Sequence, residues 1–136
     1  MNKKAVAWLP YGVSPALTMV LLGLIYAGWG LFPFGQLTVS WCDMTQQVAP
    51  LLAQLQDVLL GKANLLFSMQ NAGGMNFWGV FLFFLSSPFS FSVAFVDKAD
   101  LLQWMNVLVA VKLTLSAFTA VLLFRKWLPR LDCPAV

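Results

Sequence analysis

The sequence predicts an all-α integral membrane protein. Two transmembrane helices are expected, and between them an extracytoplasmic amphipathic helix and a broken apolar helix that is re-entrant or interfacial. Of the 136 residues 60% are hydrophobic and 10% are charged, with a mean hydropathy of +0.80, which is too apolar for a soluble domain of this size. The absence of histidine and glutamate excludes histidine metal sites and Ser-His triads within the chain.

The first transmembrane helix is predicted over residues 13–31. This stretch of 19 residues is uncharged, and at about 1.5 Å per residue it crosses most of a hydrocarbon core of about 30 Å. Pro10 and Pro15 are expected near its start, where a missing amide donor costs least. The turn residues 32–35 are expected to end it.

An amphipathic helix is predicted over residues 45–60. Apolar residues recur with a 3.6-residue period, and Gln47, Gln54 and Asp57 fall on the opposite side. Thr45 is a candidate cap, and Gly61 is expected to stop the helix. Because the helix is short and carries polar side chains throughout, we expect it to lie along the membrane surface.

The apolar segment 77–96 is interrupted by Ser86-Ser87-Pro88. If it crossed the bilayer, the basic residues near the two ends of the chain would lie on opposite sides. If it is re-entrant or interfacial, both basic clusters are cytoplasmic, in agreement with the positive-inside rule. We expect the second arrangement, with residues 32–100 on the outer side. The basic clusters are Lys3 and Lys4 at one end and Arg125, Lys126 and Arg130 at the other.

The second transmembrane helix is predicted over residues 101–124, with Lys112 near its centre. A lysine at that depth costs roughly 2.5 to 3.5 kcal/mol on insertion scales. It should therefore face a cavity or a partner. Contact with an anionic substrate and an ion pair with another helix are both open.

Asp43 is the only charged residue between Lys4 and Asp57, and it follows the first predicted span. A carboxylate at a membrane surface can bind a metal ion or act as an acid or base on a lipid-linked head group. It can equally be the N-cap of the following helix. The two cysteines, Cys42 and Cys133, are predicted to be unpaired on opposite sides of the bilayer.

Five short motifs occur in order along residues 33–115, and with them the chain resembles the YfhO family of bacterial membrane proteins. The motifs are Pro33-Phe34-Gly35, then Asp43-Met44 with Gln47, then Gly73-Gly74 with Asn76-Phe77, then Ser87-Pro88-Phe89, and finally Lys112-Leu113. Where the family has a Tyr-Tyr pair before Ser-Pro-Phe, this chain has Phe83-Phe84.

The resemblance implies a glycosyltransferase-like protein of the GT-C type in a bacterial plasma membrane. Such a protein would transfer a sugar from a polyprenyl-phosphate donor to a cell-envelope glycan or a teichoic-acid-type acceptor. Asp43 matches the catalytic position, as a base or as a ligand of Mg²⁺ or Mn²⁺, and no other cofactor is expected. Gln47, Asn76 and Lys112 are the candidate substrate-binding residues.

The resemblance also implies a single membrane segment, residues 1–136, that is the N-terminal part of a larger polytopic protein. The chain alone is expected to be inactive and to need the rest of that protein or a partner membrane subunit. The alternative function is a non-catalytic scaffold or regulatory subunit. A piece of a channel or transporter is a third possibility. The terminal basic clusters fit a membrane topology, so no nucleic-acid partner is expected.

Overall fold

The computed structural model describes residues 3–39 and 42–127, with side chains from residue 8 onward. Within these residues every named element is helical, and Ser68 and Met75 form an isolated antiparallel bridge. The predicted all-α membrane fold is confirmed. The α-helices are α1 (Lys3–Trp29), α2 (Ala49–Leu59), α3 (Phe77–Val80) and α4 (Leu101–Trp127); π-helical segments are Met44–Val48 and Phe81–Leu85, and 3₁₀ helices are Pro88–Phe95 and Lys98–Asp100.

The chain divides into two compact units. The hairpin unit consists of Met1–Gln36 and Val107–Val136, and the central unit is Leu37–Asn106. Arg130 and Cys133, which were assigned to the cytoplasmic side from the sequence, lie outside the described residues. The side chains of Lys3 and Lys4 are not described either.

Two helical stretches are long and apolar enough to cross a membrane. They are Trp8–Trp29 and Lys98–Trp127, with mean hydropathies of 1.5 and 2.3. The helix α1 begins before the predicted start at residue 13, so Pro10 and Pro15 lie inside it. The fixed φ of proline fits a helix, and membrane helices tolerate the lost amide donor because nearby groups satisfy the freed carbonyl.

Aromatic and cationic side chains pair the two long helices of the hairpin unit. The ring of Tyr11 in α1 lies 6.4 Å from the ring of Phe118 in α4, between centroids. The guanidinium carbon of Arg125 lies 4.9 Å from the Tyr11 centroid, within cation–π range. The first turns of α1 therefore lie beside the last turns of α4, and the two helices are antiparallel.

The turn after α1 depends on glycine. Gly30 has a φ of +64°, and the amides of Phe34 and Gly35 donate to the carbonyl of Leu31 at 2.8 and 3.0 Å. A Cβ built on Gly35 would overlap the backbone of Gly30. The predicted turn is thus confirmed, and the glycine of Pro33-Phe34-Gly35 is needed because the chain folds back onto itself.

The core of the central unit forms around α2, which packs against the 3₁₀ helix Pro88–Phe95. The amphipathic helix predicted over 45–60 is present as Met44–Val48 and α2. One part of the prediction is wrong, because Gln54 is buried and not on an exposed polar face. The buried apolar residues are Leu51, Leu52, Leu55, Phe77, Leu85, Val93, Leu101 and Met105.

The apolar segment 77–96 is broken, as predicted. The chain bends by 108° between Phe77–Leu85 and Pro88–Phe95. Ser87 is extended, with φ −75° and ψ 136°, which is the backbone that a following proline favours. Nine helical residues before the break rise only about 14 Å, roughly half of a hydrocarbon core of about 30 Å.

Candidate functional site

Asp43 lies at the start of the π-helical segment Met44–Val48, with its side chain exposed. The carboxylate makes no capping hydrogen bond to the first turn. The capping interpretation is therefore not realised, although the N-terminal end of a helix still favours a negative charge by its dipole. Cys42, directly before it, is an exposed free thiol with a φ of +44°.

The neighbouring carboxylates differ from Asp43 in their surroundings. Asp57 forms an ion pair with Lys98, with 2.6 Å between Oδ2 and Nζ, and its side chain is only 17% exposed. Asp97 and Asp100 flank the short 3₁₀ helix Lys98–Asp100, and the amide of Asp100 donates to the carbonyl of Asp97 at 3.0 Å. Asp43 is thus the exposed carboxylate that directly follows the turn after α1.

Gln47 is four residues beyond Asp43, in the same π-helical segment. Side chains three or four residues apart are neighbours on an α-helix, and the wider π-turn rotates them slightly with respect to each other. Gln47 is half-buried, whereas Asp43 is exposed. Asp43 and Gln47 are therefore neighbours on this helical segment, and the role of Gln47 in substrate binding stays a prediction.

A buried asparagine holds the segment that leads to Asp43, and it was not predicted from the sequence. Asn106 is fully buried. Its Oδ1 accepts a hydrogen bond of 2.7 Å from the amide of Val39, and its Nδ2 donates to the carbonyl of Leu37 at 3.2 Å. The side chain therefore pairs with residues 37–39 as a neighbouring strand would. An amide side chain inside the apolar run after Leu101 was the signal available in the sequence.

Asn76 caps α3. Its Oδ1 accepts a hydrogen bond of 3.0 Å from the amide of Trp78, and the side chain is exposed. The preceding loop is fixed to α2, because Asn71 Nδ2 donates to Gln54 Oε1. Gln54 lies 11 residues beyond Asp43, about 16 Å along a helix. The loop therefore contacts α2 at a position far along the helix from Asp43.

Lys112 lies on α4 in the hairpin unit, and its side chain is exposed. Its role in substrate binding stays a prediction. Within residues 3–39 and 42–127, no three cysteine or aspartate side chains are grouped so that they could hold a metal ion. A divalent cation at Asp43 would therefore have one carboxylate from the described chain, and its other ligands would have to come from a substrate phosphate or from elsewhere.

The chain matches a known family of membrane proteins. The family described as "Bacterial membrane protein YfhO" matches residues 14–130 of the chain. No curated protein and no solved structure matches the chain.

Proposed function

The chain belongs to the YfhO family of bacterial membrane proteins, and we propose that it forms part of a membrane glycosyltransferase of the GT-C type. The reaction is transfer of a sugar from a polyprenyl-phosphate donor to a cell-envelope glycan or a teichoic-acid-type acceptor. The observation that supports this best is Asp43, an exposed, uncapped carboxylate at the start of the first helix that follows the span in the sequence. A carboxylate in that position is available to a substrate whose phosphate sits at the membrane surface.

Asp43 acts as the general base in this proposal. Its carboxylate accepts the proton of the acceptor hydroxyl as the acceptor oxygen bonds to the anomeric carbon, and the bond from that carbon to the donor phosphate breaks. The lipid phosphate leaves with the electron pair of the broken bond. Gln47 contributes an amide that can donate to, or accept from, a sugar hydroxyl. The alternative role for Asp43 is to hold Mg²⁺ or Mn²⁺ against the donor phosphate.

Further groups must complete the site. A single carboxylate supplies one proton acceptor, and the leaving phosphate carries negative charge that needs stabilisation. Cationic groups for this would come from other membrane helices, in the same protein or in a partner subunit. The catalytic unit is therefore expected to be an assembly of helices with Asp43 on one side of the site.

The test is replacement of Asp43 by asparagine in the intact protein. Asp43→Asn keeps the shape of the side chain and removes its basicity, so cell-envelope glycosylation should fall about 100-fold or more, within the usual range for loss of a general base. Asp97→Asn is the matched control, since it removes another exposed carboxylate of the central unit. It should leave glycosylation near the wild-type level.

The two roles of Asp43 respond differently to conditions. If Asp43 acts as a base without a metal ion, a chelator leaves the transfer unchanged. A metal ligand gives transfer that stops with a chelator and returns with added Mg²⁺ or Mn²⁺. Unchanged glycosylation in Asp43→Asn, with normal membrane levels of the protein, would reject both roles. It would favour the alternative function, a non-catalytic scaffold or regulatory subunit.

A further inference from the structure

A cavity of about 300 Å³ lies between α1 and α4, entirely within the hairpin unit. This volume is at the lower end of the range for ligand pockets, roughly 300 to 1,000 Å³. One wall is formed by Met19, Gly23 and the turn at Phe34, and the other by Ala110 and Thr114 of α4. The lining contains no charged residue.

Small residues create this cavity. Gly23 has no side chain, and a Cβ built on it would meet no atom within 4 Å. Ala110 on the opposite wall adds only a methyl group. The two helices are held by larger contacts elsewhere, such as those of Tyr11 near their other ends, so the space beside Gly23 is not filled by the chain itself.

The chemistry of the lining selects a hydrocarbon. An apolar cavity of this kind does not hold ordered water, because a buried water needs about three polar partners. The cavity lies along two helices long and apolar enough to cross a membrane, and two of its lining residues, Met19 and Phe34, are more than 60% exposed. It is therefore continuous with the surface that faces lipid, and a lipid chain can enter it sideways from the bilayer.

We propose that this cavity binds the isoprenoid chain of the lipid-linked sugar donor. This inference rests on the proposed glycosyl transfer, and it assigns the tail of the donor to the hairpin unit. Phe34, which lines the cavity, precedes Asp43 by nine residues in the sequence. An isoprenoid chain carries a methyl branch on every fourth carbon and is wider than a linear acyl chain. The glycine and alanine walls provide that width.

The test uses the full chain in phospholipid vesicles that contain a photoreactive polyprenyl phosphate without a sugar. Irradiation should attach the probe to residues of the cavity, as identified by mass spectrometry of peptides from α1 and α4. An excess of unlabelled polyprenyl phosphate should reduce the labelling, and the same excess of phospholipid should not. A photoreactive phospholipid should label the cavity far less.

Gly23→Phe fills the cavity from α1 and should lower the polyprenyl labelling about tenfold. Gly12→Phe is the matched control, since a Cβ at Gly12 also meets nothing within 4 Å and Gly12 is outside the lining. Ala110→Leu fills the cavity from α4, so the conclusion does not depend on the folding of one variant. Labelling that persists in folded Gly23→Phe and Ala110→Leu would overturn the proposal.

Equal labelling by the phospholipid probe would also overturn it, and would show a site for bulk lipid only. The proposed function is tested separately, because the probe carries no sugar. Competed labelling in a protein without glycosyl transfer would support the cavity assignment and reject the transfer reaction. Transfer without labelling of the cavity would support the reaction and reject the assignment.

Discussion

Buried amide side chains hold the central unit together at three positions. Gln54 and Gln56 in α2 and Asn106 in α4 are each at most 5% exposed. Gln56 Nε2 donates to the carbonyl of Val93 at 2.8 Å and also to that of Val96. A buried polar group is costly unless it is hydrogen-bonded, so these contacts fix which segments lie against each other.

The sequence pattern could not reveal the burial of Gln54. A 3.6-residue period correctly assigns Leu51, Leu52 and Leu55 to the core, because it follows apolar residues. It places Gln54 on the outside, since a polar residue is assumed to seek water. The partner that makes its burial favourable, Asn71, is 17 residues away in the chain, and local periodicity carries no information about it.

Replacement of Asn106 by leucine should loosen the segment before Asp43. The variant keeps the approximate size of the side chain but leaves the amide of Val39 and the carbonyl of Leu37 without this partner. We expect a loss of about 2 kcal/mol in the free energy of unfolding. Thermal unfolding in detergent measures this loss of stability. The rate of Cys42 modification by a maleimide reports the loosening of the segment and should rise.

The control for this prediction is Asn64→Leu. Asn64 is exposed, and its Oδ1 accepts a hydrogen bond from the nearby amide of Leu66. Its replacement should change the unfolding temperature little and the Cys42 rate not at all. Equal Cys42 rates in Asn106→Leu and wild type would show that the asparagine does not hold this segment.

The helices themselves were largely predictable, and their ends followed from glycine and proline. The helix α2 stops as expected at Gly61, which has a φ of +73°. The amide of Gly61 donates to the carbonyl of Val58 at 3.0 Å, and that of Lys62 donates to Asp57 at 2.7 Å. These two bonds form a Schellman motif, which satisfies the last carbonyls of a helix. The π-helical character of Met44–Val48 had no signal in the sequence.

Glycine to alanine substitutions should have opposite effects at Gly61 and Gly79. A Cβ at either position meets nothing within 4 Å, so the difference is conformational and not steric. Gly61→Ala forces a left-handed backbone on alanine and should destabilise the protein by about 1 to 2 kcal/mol. Gly79→Ala, inside α3, should stabilise it by up to about 1 kcal/mol. Unfolding curves of the two variants in detergent measure the difference, and shifts of the same sign would contradict it.

At the scale of the whole molecule, the pairing of α1 and α4 bears on the segment between them. Because α1 and α4 are antiparallel, the start of α1 and the end of α4 lie on the same side of the membrane. The chain between them must then cross an even number of times, or not at all. A single crossing by the bent pair Phe77–Leu85 and Pro88–Phe95 would make α1 and α4 parallel, which the contacts of Tyr11 with Phe118 and Arg125 oppose. The arrangement therefore favours the re-entrant or interfacial interpretation, which hydropathy alone left open.

Thiol labelling of intact cells tests the resulting topology. With both basic ends cytoplasmic, the residues that follow α1 lie outside, and the exposed thiol of Cys42 should react with a membrane-impermeant maleimide. Cys133, beyond the described residues, should react only after permeabilisation, so variants with one cysteine each distinguish the two signals. If the chain between α1 and α4 crossed once, both thiols would lie on the same side and show the same accessibility. Labelling of Cys133 alone in intact cells would place Asp43 in the cytoplasm, where it could not act on substrates at the outer face.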